Sequence, residues 1–497
     1  MKKHKTILKT QRLKRIEDNL TKNDLIFKIK AFVERIDLSY LESNFEDSNR
    51  GPMPIPLWVP VCVWVYAYSQ GQLVYRRVSK LCESDDNYYY LSGGYKPSEA
   101  YLETWKLRIL PLIPNILKKV QEIIKDKGFL NNEIVGLDGV KVQAWASIKQ
   151  NKTEEGINKE IDKINKKLEG NKELTKKEGD KLGRRKRKLI SRRNELQERK
   201  ELERNNAKRE KMTINITSPD TVLMKKREGK WIQGVNLQAI INQDNIINVY
   251  EPSRRCTDSG LLGKMYDKLC SFLKVMILDI FLLADCGYWN IEDLKRFDPK
   301  KGYKIIIPSL STVTKERNKK SGKKSLAYDK KDFKYDPGRD VYICKEGKEL
   351  YFQGISSSYK KYKRKTYRAK SKYCKNCIRN NICIGKTKER TKILKITISS
   401  DENEELKHLN EYYNIPENKE LYKKRGIINE PTHAHMFHNN GITRLHCING
   451  PQIDGEIAMI ILIDTLKKIW RHKDIDFFIF VFFCILLFRR IKIHLEN

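Results

Sequence analysis

Apolar positions change their spacing several times along the 497 residues. Between 54 and 130 they are dense and aromatic, in PIPLWVPVCVWVYAYSQGQLVYRRVSKLC and again in LRILPLIPNILKKVQEII, and predict a helical domain. The stretch between these runs, LSGGYKPSEAYLETW, is rich in turn residues, with Ser98 placed to cap a helix starting at Glu99–Ala100. Ile134–Ala144 (IVGLDGVKVQA) is dominated by β-branched residues and predicts a strand with one acid, Asp138, in its middle. From 151 to 211 the period changes. Ile157, Ile161, Ile164 and Leu168, then Leu182, Leu189 and Leu196, recur at spacings of 3, 4 and 7, those of a helical hairpin or coiled-coil arm. Strands return at Trp231–Ile241 and Ile246–Glu251, and a helix fits 258–274. A strand is predicted over Val275–Ala284, ending at Asp285, then a short helix near 290–297 and a strand at Tyr303–Pro308. Strands separated by helices predict an α/β unit. Residues 419–470 read as mostly helical.

Charge sharpens this division. The chain carries 100 Lys+Arg against 63 Asp+Glu, a formal net charge of +37, which points to a polyanionic partner, nucleic acid before an anionic membrane. Residues 151–211 hold 22 bases and 13 acids, and residues 301–395 hold 29 and 8, so two segments supply most of the excess. The first contains GRRKRKLISRR, where Arg184, Arg185, Lys186 and Arg187 are candidate DNA contacts. The second, with Lys363 and Arg364, interleaves Tyr359, Tyr362, Tyr367 and Tyr373 with cations, a pairing suited to phosphate contact and base stacking together. Arg76, Arg77 and Lys80 are placed to lie along phosphates, or to serve as ordinary surface cations of a helical domain.

Composition excludes extended disorder, a collagen-like chain and a small disulfide scaffold. Eleven scattered cysteines suit reduced thiols, and the basic start MKKHKTILKTQRLKR lacks the apolar core of a signal peptide. The run FFIFVFFCILLF at 477–488 is shorter than the roughly 20 residues of a spanning helix, so no membrane anchor is expected and a cytoplasmic location is. Cys344 with Cys374-x2-Cys377-x5-Cys383 forms a candidate four-thiolate structural Zn²⁺ site, the alternative being free thiols on a basic loop.

Three acids stand out. Asp138 lies inside a strand, Asp285 ends an apolar strand, and Glu430 opens a helix after a basic segment. Each alone reads as a strand-end or capping residue; together, strand, strand and late helix present hard oxygen donors for divalent cations. Asp279 competes with Asp285, and Glu456 with Glu430, but Glu456 is expected to cap the first turn of an apolar helix over 455–470. His433, His435 and His438 are read as packing or DNA contacts rather than ligands.

Four segments in this order, IVGLDGVKVQAWAS, GVNLQAIINQDNIINVYEPSRRCTDSG, LADCGYWNIEDL and LYKKRGIINEPTHAHMFHNNGITRLH, resemble the DDE transposases of bacterial insertion sequences. The resemblance covers about 54–470 and implies an α/β fold: a ribonuclease H-like mixed sheet over 131–470, interrupted by a charged helical (coiled-coil-like) insert at 151–211 and a basic Cys-containing insert at 309–420. A basic N-terminal arm (1–53), a helical DNA-binding domain (54–130) and an atypical hydrophobic tail (471–497) complete the layout. It implies that Asp138, Asp285 and Glu430 hold Mg²⁺ or Mn²⁺, that Tyr422, Arg425 and Arg444 contact DNA, and that a 3′-OH freed at the element's end attacks target DNA. No protein nucleophile is required. Double-stranded DNA, as terminal inverted repeats and target, and a homodimer are the partners implied. Departures lie late: Cys447-Ile448-Asn449-Gly450 replaces an Arg-Gly pair, Asp464-Thr465 precedes Leu466 where an Asn is usual, and the tail has no counterpart. The alternative is therefore a decayed copy acting only as a sequence-specific DNA-binding protein.

Overall fold

The computed structural model describes residues 10–35, 38, 55–170, 175–203, 206–226, 228–276, 279–320, 328, 330–357, 363–384, 391–397 and 406–471. Two compact units divide the chain, the first from 1–258, 265–276 and 424–497, the second from 259–264 and 277–423. Both mix helices with sheets.

In the first unit, α1 (Gln11–Asn19) and α2 (Leu25–Arg35) lie in the stretch read as a basic arm. They are packed helices because Leu13, Ile16, Ile26, Ile29, Phe32 and Val33 form an apolar stripe that is buried. Thr10 caps the first, accepting from the Leu13 N–H at 3.2 Å. Helix α3 (Trp58–Ser69) is apolar on every side and buries eleven of its twelve residues, so it is the centre of the helical layer rather than a face. Pro60 falls in its first turn, where no N–H is needed. Around it lie α4 (Tyr75–Ser84), α5 (Asp86–Leu91), α6 (Glu99–Ile109) and α7 (Ile113–Asp126). Ser98 caps α6, accepting from Tyr101 N–H at 3.2 Å.

The sheet of this unit is built on β1 (Ile134–Gln143), β2 (Val222–Lys225), β3 (Trp231–Ile241) and β4 (Ile247–Ser253). β3 is central: antiparallel β1 flanks one edge, with Asp138 opposite Ala239, and β2 then β4 pair in succession along the other. Ten of the eleven β3 residues are buried, including Gln233, Asn236 and Gln238, whose amides need partners there. Asn236 and Gln238 find one in Asp258, donating to Oδ1 at 2.9 and 2.8 Å.

Between β1 and β2 stand α8 (Glu154–Gly170) and α9 (Lys176–Leu202), packed through Ile157, Ile161, Ile164, Leu189 and Leu196. Thr175 and Glu178 close a reciprocal capping box at the start of α9. After β4 come α10 (Leu262–Leu273) and residues 274–276, which are not a strand: Lys274 has φ +59° and Met276 is 93% exposed. Among the described residues, the strand predicted from Val275 is confined to Phe281–Ala284, where the side chains become buried.

The second unit holds that strand, β5 (Phe281–Ala284), parallel to β6 (Ile305–Ile306), followed by α11 (Leu310–Lys320). A five-stranded antiparallel sheet follows, in the order β11-β10-β9-β8-β7: β7 (Lys334–Asp336), β8 (Val341–Ile343), β9 (Glu349–Ser357), β10 (Lys363–Ala369) and β11 (Ile393–Thr397). Phe333, Tyr342, Leu350, Tyr367, Ala369 and Leu394 form its core. Helix α12 (Lys407–Asn414) precedes α13 (Pro416–His433), which runs from the second unit into the first. A π-helical segment (Ala434–Asn439) and α14 (Gly450–Ile469) complete the described chain.

Candidate active site

Asp138 sits in mid-β1, its side chain 19% exposed, and helix α13 addresses it from within the same unit. Arg425, Asn429 and His433 are spaced four apart and share one helix face. Arg425 Nη1 lies 3.5 Å from Asp138 Oδ1, and His433 Nε2 lies 3.9 Å from Oδ2. The helix can come this close because β1 has a glycine at the crossing. A Cβ on Gly136 would fall 2.2 Å from Asn429 Oδ1 and 2.8 Å from its Cγ and Nδ2. Asn429 is fully buried.

A second device holds α13 at this depth. Pro431 has no N–H, which leaves the carbonyl of Ile427 without its helical donor. Asn245, in a left-handed turn at φ +59°, supplies it: its Nδ2 donates to Ile427 O at 3.3 Å and Ile428 O at 2.9 Å. In return Thr432 Oγ1 and Lys468 Nζ donate to the Asn245 carbonyl, at 3.0 and 2.5 Å. Lys468 also bonds Asp464 Oδ2 at 2.6 Å, and His435 Nδ1 approaches Asp464 Oδ1 at 2.5 Å. The buried Asp464 therefore anchors the π-helical segment to α14. Burial pulls the His433 imidazole down to about 4, helped by Lys468 and Arg425 and opposed by Asp464, so it is neutral at pH 7.

Glu430, one residue past Asn429, is exposed on the same helix. Its competitor Glu456 is no helix cap. It lies in the second turn of α14, fully buried, and accepts from Tyr68 Oη at 3.0 Å and from the N–H groups of His446 and Cys447 at 2.9 Å. The helix begins five residues earlier than its apolar run suggests, at Gly450, and this turns Glu456 inward to bind the preceding loop.

In the second unit Asp285 follows β5 and caps the short turn after it, accepting from Gly287 N–H at 2.7 Å. Asp279 is 92% exposed in an ion pair with Lys304 at 2.5 Å. Tyr422 packs edge-on against Tyr413, centroids 5.2 Å apart.

The candidate DNA contacts differ in their freedom. The Arg444 guanidinium lies over the half-exposed indole of Trp145, its Cζ 3.7 Å from the ring centroid, and His446 packs against the same indole at 5.1 Å. Arg184 and Arg187 are exposed and Lys186 is half-buried, whereas Arg185 ties α9 to α8 through Glu160 at 2.8 Å. Lys363 and Arg364 stand opposite Ser357 and Ser356 in the β9–β10 register. Tyr367 is not available for stacking: it is buried, and its hydroxyl donates to Asp340 at 2.6 Å. Tyr359, Tyr362 and the 477–488 run lie outside the described residues.

Cys344, Cys374 and Cys383 pack on the core of the five-stranded sheet. Burial pushes the Cys383 thiol up, with Cys374, Cys344 and Cys377 adding to the shift and Lys392 opposing it. Cys344 also opens a tight turn, its Sγ accepting from Lys348 N–H at 3.3 Å. Among the described residues, no three His, Cys, Asp or Glu side chains are gathered closely enough to hold a metal ion, and no helix is long and apolar enough to cross a membrane. In kind, the oxygen donors Asp138, Asp285 and Glu430 suit a hard divalent cation, and the thiols suit zinc.

Sequence reasoning missed Asn429, Asp258 and Trp145, noted Asp464 only as standing where an Asn is usual, and set His433 aside as packing or DNA contact. The spacing of Arg425, Asn429 and His433 was the available signal. Residues 343–470, which include all of α13 and α14, match the family model of the transposase DDE domain. No curated protein and no solved structure matches the chain.

Proposed function

We propose that this chain is a DDE transposase, which cuts a strand at the end of a mobile element and joins the resulting 3′-OH to target DNA. One observation carries this: the segment matching the transposase domain contains α13, and α13 is the helix that meets the aspartate-bearing strand, with Gly136 flush against Asn429 and Arg425 and His433 on Asp138. The antiparallel β1-β3-β4 set and the parallel β5–β6 pair are consistent with a ribonuclease H-like arrangement.

Asp138, Asp285 and Glu430 would hold Mg²⁺ or Mn²⁺. Divalent ions bound there supply an activated water and neutralise charge on the reacting phosphate. The chain's own residues orient and bind. The buried Asn429 fixes the depth of the helix, Asn245 holds the Ile427 carbonyl that Pro431 leaves open, and Tyr422, Arg425 and Arg444 contact DNA. Arg184, Lys186, Arg187, Lys363 and Arg364 extend the phosphate track, and two copies bring two DNA ends together. Cys344, Cys374, Cys377 and Cys383 would bind one structural Zn²⁺, which metal analysis of the purified chain tests directly: one zinc per chain is expected, and none refutes the site.

The deciding experiment incubates the protein with DNA containing the element's ends and Mg²⁺ or Mn²⁺. Specific nicking that Asp138→Ala abolishes is expected. Tight, sequence-specific binding without any nicking would instead show a decayed copy that only recognises DNA.

A further inference from the structure

Arg425 stands where a cation is needed. Its guanidinium faces one oxygen of Asp138 at 3.5 Å, and both side chains are more than four-fifths buried, so water screens the pair only in part. The other oxygen faces His433 Nε2 at 3.9 Å. Arg425 therefore brings a full positive charge to Asp138 from the helix side. A divalent ion on that carboxylate would sit about 2.0–2.6 Å from its oxygen. At that range it would meet the guanidinium as a like charge. Arginine also has a partner it favours: its planar fork matches phosphate oxygens with two parallel hydrogen bonds.

We propose that Arg425 is a DNA-operated latch on the metal site: without DNA it holds Asp138 as a surrogate cation and weakens divalent binding, and a backbone phosphate that takes the guanidinium opens the carboxylate. This rests on the transposase reading above. Its effect is to couple two ligands. DNA raises metal affinity and, by reciprocity, metal raises DNA affinity by the same factor. A chain not on DNA then carries little metal at the Asp138 end of the site.

The test uses the full chain and reads binding, not cleavage. Mn²⁺ is titrated into DNA-free protein while the resonance of free Mn²⁺ is followed by electron paramagnetic resonance. Wild type, Arg425→Gln, Arg425→Lys and Asp138→Asn are compared, each checked for helical content by circular dichroism. Arg425→Gln is expected to bind Mn²⁺ about tenfold more tightly than wild type, within the ~5–150-fold span of such couplings. Arg425→Lys keeps the charge and should stay within about threefold of wild type, a shift of under ~1 kcal/mol. Separately, the affinity for a fluorescent duplex of arbitrary sequence, by anisotropy at fixed salt, should rise on adding Mn²⁺ for wild type and not for Arg425→Gln. If Arg425→Gln binds Mn²⁺ no better than wild type while Asp138→Asn loses it, the latch is overturned and the active-site reading stands. If Asp138→Asn binds Mn²⁺ as wild type does, the metal is not at Asp138 and both fall. Should Arg425→Gln lose its helical content, Arg425→Lys and the wild-type DNA coupling decide, and absence of that coupling overturns the latch.

Discussion

Gly136→Ala is the smallest change that tests how the strand and helix of the site are fitted together. The added Cβ would stand 2.2 Å from Asn429 Oδ1 and 2.8 Å from its Cγ and Nδ2, distances that no relaxed carbon tolerates. Asn429 cannot simply swing away, because it is fully buried and its helix is held from behind by Asn245, Thr432 and Lys468. The strain must therefore move α13 off β1. Overpacking of this kind costs about 1–3 kcal/mol. The displacement also separates Asp138 from the helix that carries Arg425, Glu430 and His433, and a misplacement of ~1 Å can lower a rate about 100-fold.

Asn429→Ala supplies the control. Neither polar atom of the Asn429 amide has a hydrogen-bond partner among the described residues, so its removal forfeits packing but no bond. In the double variant the methyl added at position 136 occupies space that the amide vacates. Urea unfolding of wild type, both single variants and the double should give a favourable coupling of ~1–2 kcal/mol, inside the range found for contacting residues. Nicking should fall in Gly136→Ala and recover in part in the double. If Gly136→Ala matches wild type in stability, or if the double is no better than Gly136→Ala, the helix is not seated on β1 by this glycine.

Glu456 supports three donors in the core, so Glu456→Ala leaves two backbone N–H groups and Tyr68 Oη without their acceptor and should cost about 2–4 kcal/mol in the same urea assay, against little for an exposed acid such as Glu420. Replacing Arg184, Lys186 and Arg187 by Gln should weaken DNA binding and flatten its salt dependence by about 0.9 in log–log slope for each phosphate no longer neutralised, with cleavage retained at saturating DNA; abolished cleavage with binding intact would refute that role. Burial lowers the His446 pKa, with Lys106 and Arg444 pushing the same way and Glu456 opposing, so the folded state binds this proton less readily than the unfolded chain. Its contribution to stability is complete above about pH 6.5, the usual histidine value, and declines as pH falls below it. His446→Gln should shallow that decline; an unchanged slope would show that the imidazole titrates freely.

The parts of this molecule that were legible in the sequence are those fixed by local period. A density of β-branched residues placed β1, and spacings of 3, 4 and 7 placed the apolar stripe that joins α8 to α9, because a helix must bury one face wherever it ends up. Val275–Ala284 shows the limit: a continuous apolar run cannot say which of its residues are covered, and Met276 is left in solvent while Leu283 is not. Glu456 shows another. An acid near the start of an apolar helix reads as a cap, and only the loop folded back over α14 reveals that its partners are backbone amides 9 and 10 residues upstream.

The same limit explains why the charge excess was an indirect guide to chemistry. Net charge counts Arg185 and Arg425 beside Arg184 and Arg187, yet the structure gives the four different tasks. Arg184 and Arg187 face solvent and are open to phosphate, while Arg185 is committed to Glu160 across the helix pair. Arg425 is committed to the one acid in the middle of β1. A cation already paired contributes to the long-range attraction of DNA but must exchange partners to touch it, and the exchange exposes whatever it was paired with. For Arg185 that is Glu160, which still has Lys152 at 3.1 Å, and nothing follows for catalysis. For Arg425 it is Asp138. On the latch proposed above, DNA contact and the readiness of the carboxylate are two aspects of one event, a link that no count of lysines and arginines along the chain contains.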